Sequence, residues 1–292
     1  MRCWAMPALV FGARLVARMP QRALLGTASV LATLIAPLLA RRRRIAARNL
    51  QACFPALDAK ARGRLLRDNL RATVQGAFEL VRAWYAPDAA LDGLATIEGL
   101  PLLHENLAAG QGVLLFTGHF THTELAVRLL SRAAGVRIGG IARQNNDPCL
   151  EREFDAARRR VFGEVLGKKD VRGLLRELRG GGVVAYSADQ DFNYQHAFVP
   201  FLGVPAATLT TTPELVRRSD ATMLVMFFHR DAGGIYRIVL RPAWPGWRDG
   251  APAEAAAIYM RELGTYVAQH PSQYLWVHRR FKTRPPNEPP FY

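Results

Sequence analysis

The sequence of 292 residues predicts an α/β fold: a mixed, largely parallel sheet flanked by helices and preceded by an apolar N-terminal helix. From residue 112 onward, short runs of strand-forming residues alternate with helical segments, as in parallel sheets covered on both faces by helices. An uncharged apolar stretch near the amino terminus predicts the additional helix. Half of the residues are hydrophobic, which is enough for a substantial core and argues against global disorder.

The strand candidates share an apolar composition rich in β-branched residues and comprise 112–117, 136–142, 183–188, 222–228 and 235–241. Helical patterns between them cover 121–133, 148–162, 170–179 and 208–218. The last two strands are predicted to form an antiparallel hairpin, with residues 231–234 as its turn. Residues 45–95 read as helical, and Asp58 is a candidate helix cap.

Residues 24–40 form the apolar stretch, which contains 17 residues without a charge. As a helix it would be roughly 25 Å long, slightly short of the bilayer core. Four arginines follow where a cleavage site should lie, which disfavours a signal peptide. A buried soluble helix remains an alternative, but residues 1–48 carry nine arginines and no acidic residue, which favours membrane contact. The pattern does not decide between a spanning helix and one lying in the interface.

The basic and apolar character of the amino-terminal segment distinguishes it from the rest of the chain and gives the domain prediction. Residues 1–44 are predicted as a membrane-anchoring basic and hydrophobic segment, and residues 45–292 as the main domain, helical over 45–95 and α/β over 96–292. The larger arginine cluster at 41–44 favours a domain that stays on the cytoplasmic side. The spacing of Cys3, Cys53 and Cys149 predicts neither a disulfide framework nor a CxxC metal pair, and favours a reducing setting.

A charge of +15, from 39 Lys and Arg against 24 Asp and Glu, favours anionic partners such as membranes, phosphorylated substrates, acidic proteins or nucleic acid. No recognised nucleic-acid motif is present, so a nucleic-acid partner is not predicted. A basic set within 158–179 could dock an acidic protein or a membrane, or simply be solvated: Arg158, Arg159, Arg160, Lys168, Lys169, Arg172, Arg176 and Arg179.

The strongest candidate site lies where the 112–117 strand ends, because ligands of α/β sheets bind beyond the carboxyl ends of strands. Gly118 permits a tight turn there, and His119 is followed five positions later by Glu124. In a continuous helix the two side chains would point about 140° apart. With His119 in the turn, however, the carboxylate could fold back onto the imidazole and orient it as a general base. The nucleophile would then be a hydroxyl of the acceptor.

The spacing alone does not separate this chemistry from a surface histidine that happens to precede a glutamate. His122 adds an H-x-x-H pair, but no further ligand spacing accompanies it, so no metal site is predicted.

Several blocks, in order along the chain, resemble the lauroyl/myristoyl acyltransferase family of lipid A biosynthesis, within the glycerolipid acyltransferase superfamily that shares an H-x4-D/E motif. The blocks are 48–50, 53–55, 117–120 with Glu124, 188–191, 198–206 and 274–285. The resemblance covers nearly the whole chain and implies a glycerolipid-acyltransferase-like fold. This sequence departs from the family's usual pattern at His122 and Thr123 between the catalytic pair, and at Gln144 after Arg143.

The resemblance implies an enzyme of the inner membrane, with its catalytic domain on the cytoplasmic face. It would transfer a fatty acyl group from an acyl carrier protein thioester to a hydroxyl of a lipid A precursor, with no further cofactor. His119 would be the base and Glu124 its orienting partner. The alternative is acyl transfer to another glycolipid or a lysophospholipid, such as a phosphatidylinositol mannoside.

Further residues complete the predicted site. Arg143 follows a strand and could stabilise a thioester oxyanion or bind a substrate phosphate. Asp189 and Gln190 follow another strand at the same expected edge and are candidates for substrate positioning. Thr208, Thr210 and Thr211 open a predicted helix whose amides could bind phosphate, although ordinary capping explains them equally well.

Overall fold

A computed structural model describes residues 3–292. Its α-helices are α1 Met6–Ala17, α2 Gln21–Leu34, α3 Ala40–Cys53, α4 Ala59–Tyr85, α5 Leu100–Ala108, α6 Thr123–Ala134, α7 Pro148–Val161, α8 Val171–Arg179, α9 Thr212–Ser219 and α10 Pro252–Gln269. Its strands are β1 Ala95–Glu98, β2 Val113–Thr117, β3 Ile138–Ala142, β4 Val165–Gly167, β5 Val183–Ser187, β6 His196–Phe201, β7 Val204–Leu209, β8 Thr222–Arg230 and β9 Tyr236–Pro242.

Seven strands form the central sheet in the order β1-β9-β8-β2-β5-β3-β4. All neighbours are parallel except β8 and β9, which form the expected antiparallel hairpin. The predicted mixed, largely parallel α/β fold is therefore confirmed. Strands β1, β4 and the separate hairpin β6–β7 were not predicted. The first two are only four and three residues long, too short for a periodic signal.

Strand β2 lies at the centre of this sheet, and all five of its residues are buried. It is continuously apolar because helices cover both faces of a parallel sheet, so no alternating polar residue is needed. Helix α6 covers one face with the buried side of an amphipathic helix that includes Leu125, Leu129 and Leu130. Helix α10 contributes Tyr259 and Leu263, which are fully buried. The sheet and these helices fix the carboxyl end of β2 rigidly.

The amino-terminal stretch differs from the single helix predicted over 24–40. Helix α2 ends at Leu34, a short 3-10 turn covers Ala36–Leu39, and α3 begins at Ala40. Pro37 lies in that turn, where its missing N–H and fixed φ favour a break. Within residues 3–292, no single helix meets the length and hydropathy of a membrane span; only α2 together with Ala36–Cys53 does so, and that pair is bent by 73°.

Helix α2 packs along α4 through small residues and a set of polar contacts. Ala28 and Leu24 are fully buried. Arg82 of α4 donates to Gln21 Oε1 (2.5 Å), and Gln21 donates in turn to the Tyr236 hydroxyl (3.0 Å). Gln75 donates to Ser29 Oγ (2.9 Å). The amino-terminal segment is thus joined to the sheet by side chains that are out of solvent.

A disulfide joins Cys3 to Cys149, whose Cα atoms are 5.5 Å apart. The sequence predicted no such bond, because 146 residues separate the two cysteines and only the folded chain brings the start of the chain to the start of α7. Cys53 is a buried free thiol, and burial raises its pKa to about 12. That thiol is therefore protonated and unreactive at neutral pH.

Candidate active site

His119 lies two residues beyond the end of β2, in the turn that leads to α6. Gly118 precedes it because a side chain there would collide with Leu263 of α10: an added Cβ would lie 2.6 Å from Leu263 Cδ1. The His119 side chain is one-third exposed and borders a cavity. The predicted position of His119 at the carboxyl edge of the sheet is confirmed.

The carboxylate beside His119 belongs to Asp189, which is 70 residues away along the chain. Asp189 Oδ1 lies 2.5 Å from His119 Nδ1, and Oδ2 accepts the His119 backbone N–H at 2.8 Å. The register explains this pairing, because Thr117 of β2 is level with Ser187 of β5 and each functional residue lies two positions further on. Since an ionised carboxylate only accepts, Nδ1 carries the proton of the neutral imidazole, and Nε2 is then the ring nitrogen with the free lone pair.

Asp189 is almost completely buried, at 1 % exposure. Burial raises its pKa, but the charge of a protonated His119 and the hydrogen bonds from His119 and Tyr274 outweigh this and hold the pKa well below its usual range. The Tyr274 hydroxyl donates to Asp189 Oδ2 at 2.8 Å. Asp189 therefore stays ionised at any pH at which the protein would work.

The segment around Tyr274 also fixes the backbone of the turn. Leu275 N–H donates to His119 O (3.0 Å), and Thr121 N–H donates to Gln273 O (2.9 Å). Two buried asparagines hold this segment from outside: Asn69 donates to Tyr274 O (2.7 Å) and Asn49 to Trp276 O (2.7 Å). Tyr274 lies in a block that resembles the acyltransferase family, but sequence reasoning assigned it no role.

Glu124 makes no hydrogen bond to His119 within residues 3–292, so the predicted contact between the two side chains is absent. Helix α6 begins at Thr123 and directs Glu124 toward α4 and α7. There it accepts from Trp84 Nε1 (2.5 Å) and from Arg158 Nη2 (2.7 Å). The Arg158 guanidinium also lies over the Trp84 ring, 5.1 Å from its centre. Glu124 still borders the same cavity as His119, but its charge is used to hold Arg158 there.

A cavity of about 450 Å³ extends from His119 between the sheet and helices α4, α6 and α7. Its volume lies in the range of small-molecule sites. Apolar side chains dominate its walls, including Leu80, Val127, Phe162 and Val165. His119, Gln190 and Arg158 are among the polar groups of its lining, so the cavity suits a ligand with a long apolar part and a polar end.

The other predicted site residues separate into two groups. Asp189 and Gln190 lie at the expected edge, and Gln190 lines the cavity. Arg143 does not line it: its side chain is exposed and donates only a long bond to Asn146 Oδ1 (3.4 Å) among the contacts of residues 3–292. Arg158, placed by the sequence in a surface basic set, is the arginine that reaches the cavity.

Only Thr211 of the three predicted threonines lies at the start of a helix, as the residue before α9, and the phosphate site stays a prediction. Thr208 belongs to β7, is fully buried, donates to Ala206 O (2.9 Å) and accepts from Arg280 (2.5 Å). Thr210 donates to Gln195 O (2.8 Å). Helix α9 begins at Thr212, and Thr211 makes no side-chain cap to it. The helical pattern failed at Thr208 because this residue continues the β6–β7 hairpin instead of opening a helix.

The rest of the predicted basic set faces outward. Arg159 pairs with Asp155 (2.8 Å), and Arg160 lies over the Tyr85 ring. Lys169 and Arg172 are exposed, whereas Lys168 is at the cavity wall. Over residues 3–292, no group of three or more His, Cys, Asp or Glu side chains has the arrangement of a metal site.

The family is decided by a match over almost the full chain. The sequence profile of the family described as "Bacterial lipid A biosynthesis acyltransferase" matches residues 1–283. This chain belongs to that family. It is accordingly an acyltransferase with a role in lipid A biosynthesis.

Individual members of the family show how far the similarity extends. The lipid A biosynthesis palmitoleoyltransferase of Escherichia coli K12 is 32 % identical over 260 residues, covering 88 % of this chain and 84 % of the relative. The lauroyltransferase of the same organism is 31 % identical over 258 residues, covering 86 % and 83 %. Its myristoyltransferase is 24 % identical over 256 residues, covering 84 % and 77 %. These names differ in the acyl chain transferred.

Proposed function

We propose that this acyltransferase moves a fatty acyl group from an acyl carrier protein thioester to a hydroxyl of a lipid A precursor, with His119 as general base. The observation that carries the proposal is the His119–Asp189–Tyr274 chain of hydrogen bonds, which ends at a histidine that lines an apolar cavity. The names of the relatives support the acceptor. The acyl carrier protein is proposed because a basic protein suits an acidic donor partner.

The proposed reaction begins at His119 Nε2, the ring nitrogen that Asp189 leaves free. Nε2 takes the proton of the acceptor hydroxyl while the oxygen attacks the thioester carbonyl carbon. The tetrahedral intermediate collapses by breaking the carbon–sulfur bond. The imidazolium then returns its proton to the departing thiolate, so the enzyme is regenerated. Asp189 stabilises the imidazolium between these steps, as the aspartate does in serine-protease triads.

Arg158 is the proposed positive group beside the reacting carbonyl, in place of Arg143. Its guanidinium is fixed by Glu124 and the Trp84 ring, so it needs no reorganisation when negative charge develops on the oxyanion. In this proposal Glu124 acts on the reaction through Arg158. Gln190 remains a candidate for positioning the substrate at the cavity mouth.

We also propose that the enzyme works at the cytoplasmic face of the inner membrane, attached through residues 1–44. Large apolar side chains on the described part of this segment are exposed, among them Phe11 at 65 %, Leu34 at 71 % and Leu38 at 85 %. The exposed arginines 41–44 follow directly and would attract anionic headgroups. Leu34→Asp with Leu38→Asp should reduce flotation with anionic vesicles; unchanged flotation would contradict this attachment. Deleting residues 1–44 is a poorer test, because Gln21 and Ser29 also support α4.

The test of function is mass spectrometry of products from purified enzyme offered acyl carrier protein thioesters and several acceptors. We expect transfer to a lipid A precursor, and loss of about 10³-fold or more in His119→Ala. Lys60→Ala, an exposed substitution outside the basic set of residues 158–179, is the folding and handling control. Full turnover by His119→Ala would contradict the mechanism. Preference for a phosphatidylinositol mannoside or a lysophospholipid would contradict the acceptor while leaving acyl transfer intact.

A further inference from the structure

We propose that a gap in the floor of the cavity, formed by Gly140 and Ala185, sets the length of the fatty acyl chain that this enzyme accommodates. The inference rests on the proposed function, because it takes the cavity beside His119 as a site for an acyl chain. It adds the residues that decide how long that chain is.

The gap is defined by the register of four parallel strands. Leu115 of β2, Ala185 of β5, Gly140 of β3 and Val165 of β4 are level with one another across the sheet. Residues paired in this way point to the same face. The row therefore falls from leucine to a methyl group, then to no side chain, and rises again to valine, which leaves a trough over β5 and β3.

Two adjacent glycines in β3 differ in whether the surrounding packing leaves room for a side chain. Gly139 points to the other face, where an added Cβ would lie 2.6 Å from Glu164 O, so it permits close backbone packing. An added Cβ at Gly140 would have only Ala185 O, at 4.0 Å, within reach. Packing around Gly140 therefore does not require a glycine. The space it leaves is part of the cavity.

The trough has small residues at one end and is closed at the other. Toward the carboxyl edge of the sheet, Ser187 and Ala142 are both small and both line the cavity. Deeper in the sheet, Ile138 is level with Val183, and these two side chains are 0 % and 1 % exposed. An apolar chain that enters past His119 would thus follow small residues until it meets this pair.

The trough lies at a suitable position for the far part of an acyl chain. Gly140 is two strands from β2, about 10 Å across the sheet, and two residues deeper than Thr117, about 7 Å. The relatives' names include lauroyl, myristoyl and palmitoleoyl groups, so membership of the family does not fix chain length. In this chain the residues of the cavity floor are the candidates for setting it.

The experiment is a graded series at one position: Gly140→Ala, Gly140→Val and Gly140→Leu. Each variant is offered acyl carrier protein thioesters of increasing chain length with one acceptor. We expect the preferred chain to shorten along the series. For Gly140→Leu, kcat/KM for the longest chain used by the wild type should fall about 10- to 100-fold relative to a chain about four carbons shorter. Gly63→Leu, whose added Cβ would meet only Arg67 Nη1 at 3.7 Å, is the matched control and should keep the wild-type profile.

A second series keeps the donor constant and varies the acyl chains of the acceptor. It is needed because both the donor and the acceptor carry fatty acyl chains. A shift in the donor series assigns the trough to the transferred chain, and a shift in the acceptor series assigns it to the acceptor. An equal loss for all chain lengths, or an unchanged profile in folded variants, would overturn the inference while wild-type transfer still supports the proposed function. Absence of transfer by the wild type would instead contradict the proposed function itself.

Discussion

Two clusters of hydrogen-bonded polar side chains differ in one respect. In the first, Asp189 and Tyr274 are buried, Asp189 is bonded to His119 Nδ1, and the His119 side chain borders a cavity. In the second, Glu79 accepts from Arg230 and from the Tyr236 hydroxyl, and Gln75 accepts from Arg230. Glu79 is fully buried, and neither it nor Arg230 lines the cavity. A buried charge network can take part in a reaction only where one of its side chains lines a cavity that a substrate can enter.

The second cluster joins helix α4 to the β8–β9 hairpin, and through Gln21 it also reaches α2. Burial lowers the pKa of Arg230, but Glu79 and Tyr236 outweigh burial and raise it above its usual value. A pair of this kind adds little net stability, because desolvation offsets attraction, yet breaking it leaves an uncompensated buried charge. We therefore assign the second cluster to structure and the first to catalysis.

The largest expected effect is the loss of kcat in Asp189→Asn. The amide cannot stabilise the imidazolium and permits the wrong tautomer of His119, so kcat should fall about 10³- to 10⁴-fold with the fold retained. Asp191→Asn is the matched control, because Asp191 accepts from Thr283 N–H (2.9 Å) and has no contact with His119 among those found. Kinetics and circular dichroism on both variants check this. Equal losses in the two would contradict a specific role for Asp189 beside His119.

Glu79→Ala should have the opposite result, with a loss of stability and little change in kcat. It leaves Arg230 buried without its carboxylate, so the free energy of unfolding should fall by about 3–5 kcal/mol. The kcat of the protein that remains folded should stay within a few-fold of wild type. Urea denaturation gives the first quantity, and activity at low temperature gives the second. The double variant Glu79→Leu with Arg230→Met should be less destabilised than Glu79→Ala alone; abolished activity without destabilisation would place this cluster in catalysis.

Glu124→Gln should have an intermediate effect, because Glu124 acts through Arg158. Each of Glu124→Gln and Arg158→Gln should lower kcat about 10²-fold, as removal of an oxyanion donor does. Because Glu124 acts by fixing the Arg158 guanidinium, the double variant should be little worse than Arg158→Gln alone. A double-mutant cycle measures this coupling. Fully multiplicative losses would show that Glu124 acts independently of Arg158.

The smallest effect concerns His122, which packs against Phe228 and Tyr236. Burial lowers its pKa to about 4; Glu79 opposes this, whereas Arg230 and His229 add to it. The unfolded chain therefore binds a proton near pH 6.5 that the folded protein refuses until about pH 4. Stability should fall as the pH drops through that interval, by about 2 kcal/mol at pH 5 from this residue.

His122→Leu should remove this part of the pH dependence. Urea denaturation of wild type and variant at pH 7 and pH 5 checks it, since the difference between the two pH values should be smaller in the variant. His270 and His278 also have pKa values lowered to about 4, mainly by burial, and would contribute the remaining dependence. An identical pH dependence in both proteins would show that His122 is not buried as a neutral ring.

Much of the fold was accessible from local patterns. The five predicted strands, the β8–β9 turn and the Asp58 cap, which accepts from Ala61 N–H at 2.6 Å, all reflect interactions over a few residues. The helix predicted over 24–40 failed at Pro37, and the helix predicted from 208 failed because Thr208 and Leu209 extend the hairpin. In the first case a proline ended the helix that the apolar pattern predicted. In the second, pairing with a neighbouring strand prevailed over the helical pattern.

For the candidate site, the sequence by itself determined the position of His119, at the end of an apolar strand and after a glycine. It also placed Asp189 at the same edge, because parallel strands end together. It could not decide which carboxylate meets the imidazole, since Glu124 is five residues away and Asp189 is 70. That choice depends on the register of β2 and β5 and on the direction in which α6 begins, which only tertiary packing fixes. The same register places Gly140 beside Ala185 and so creates the gap in the cavity floor.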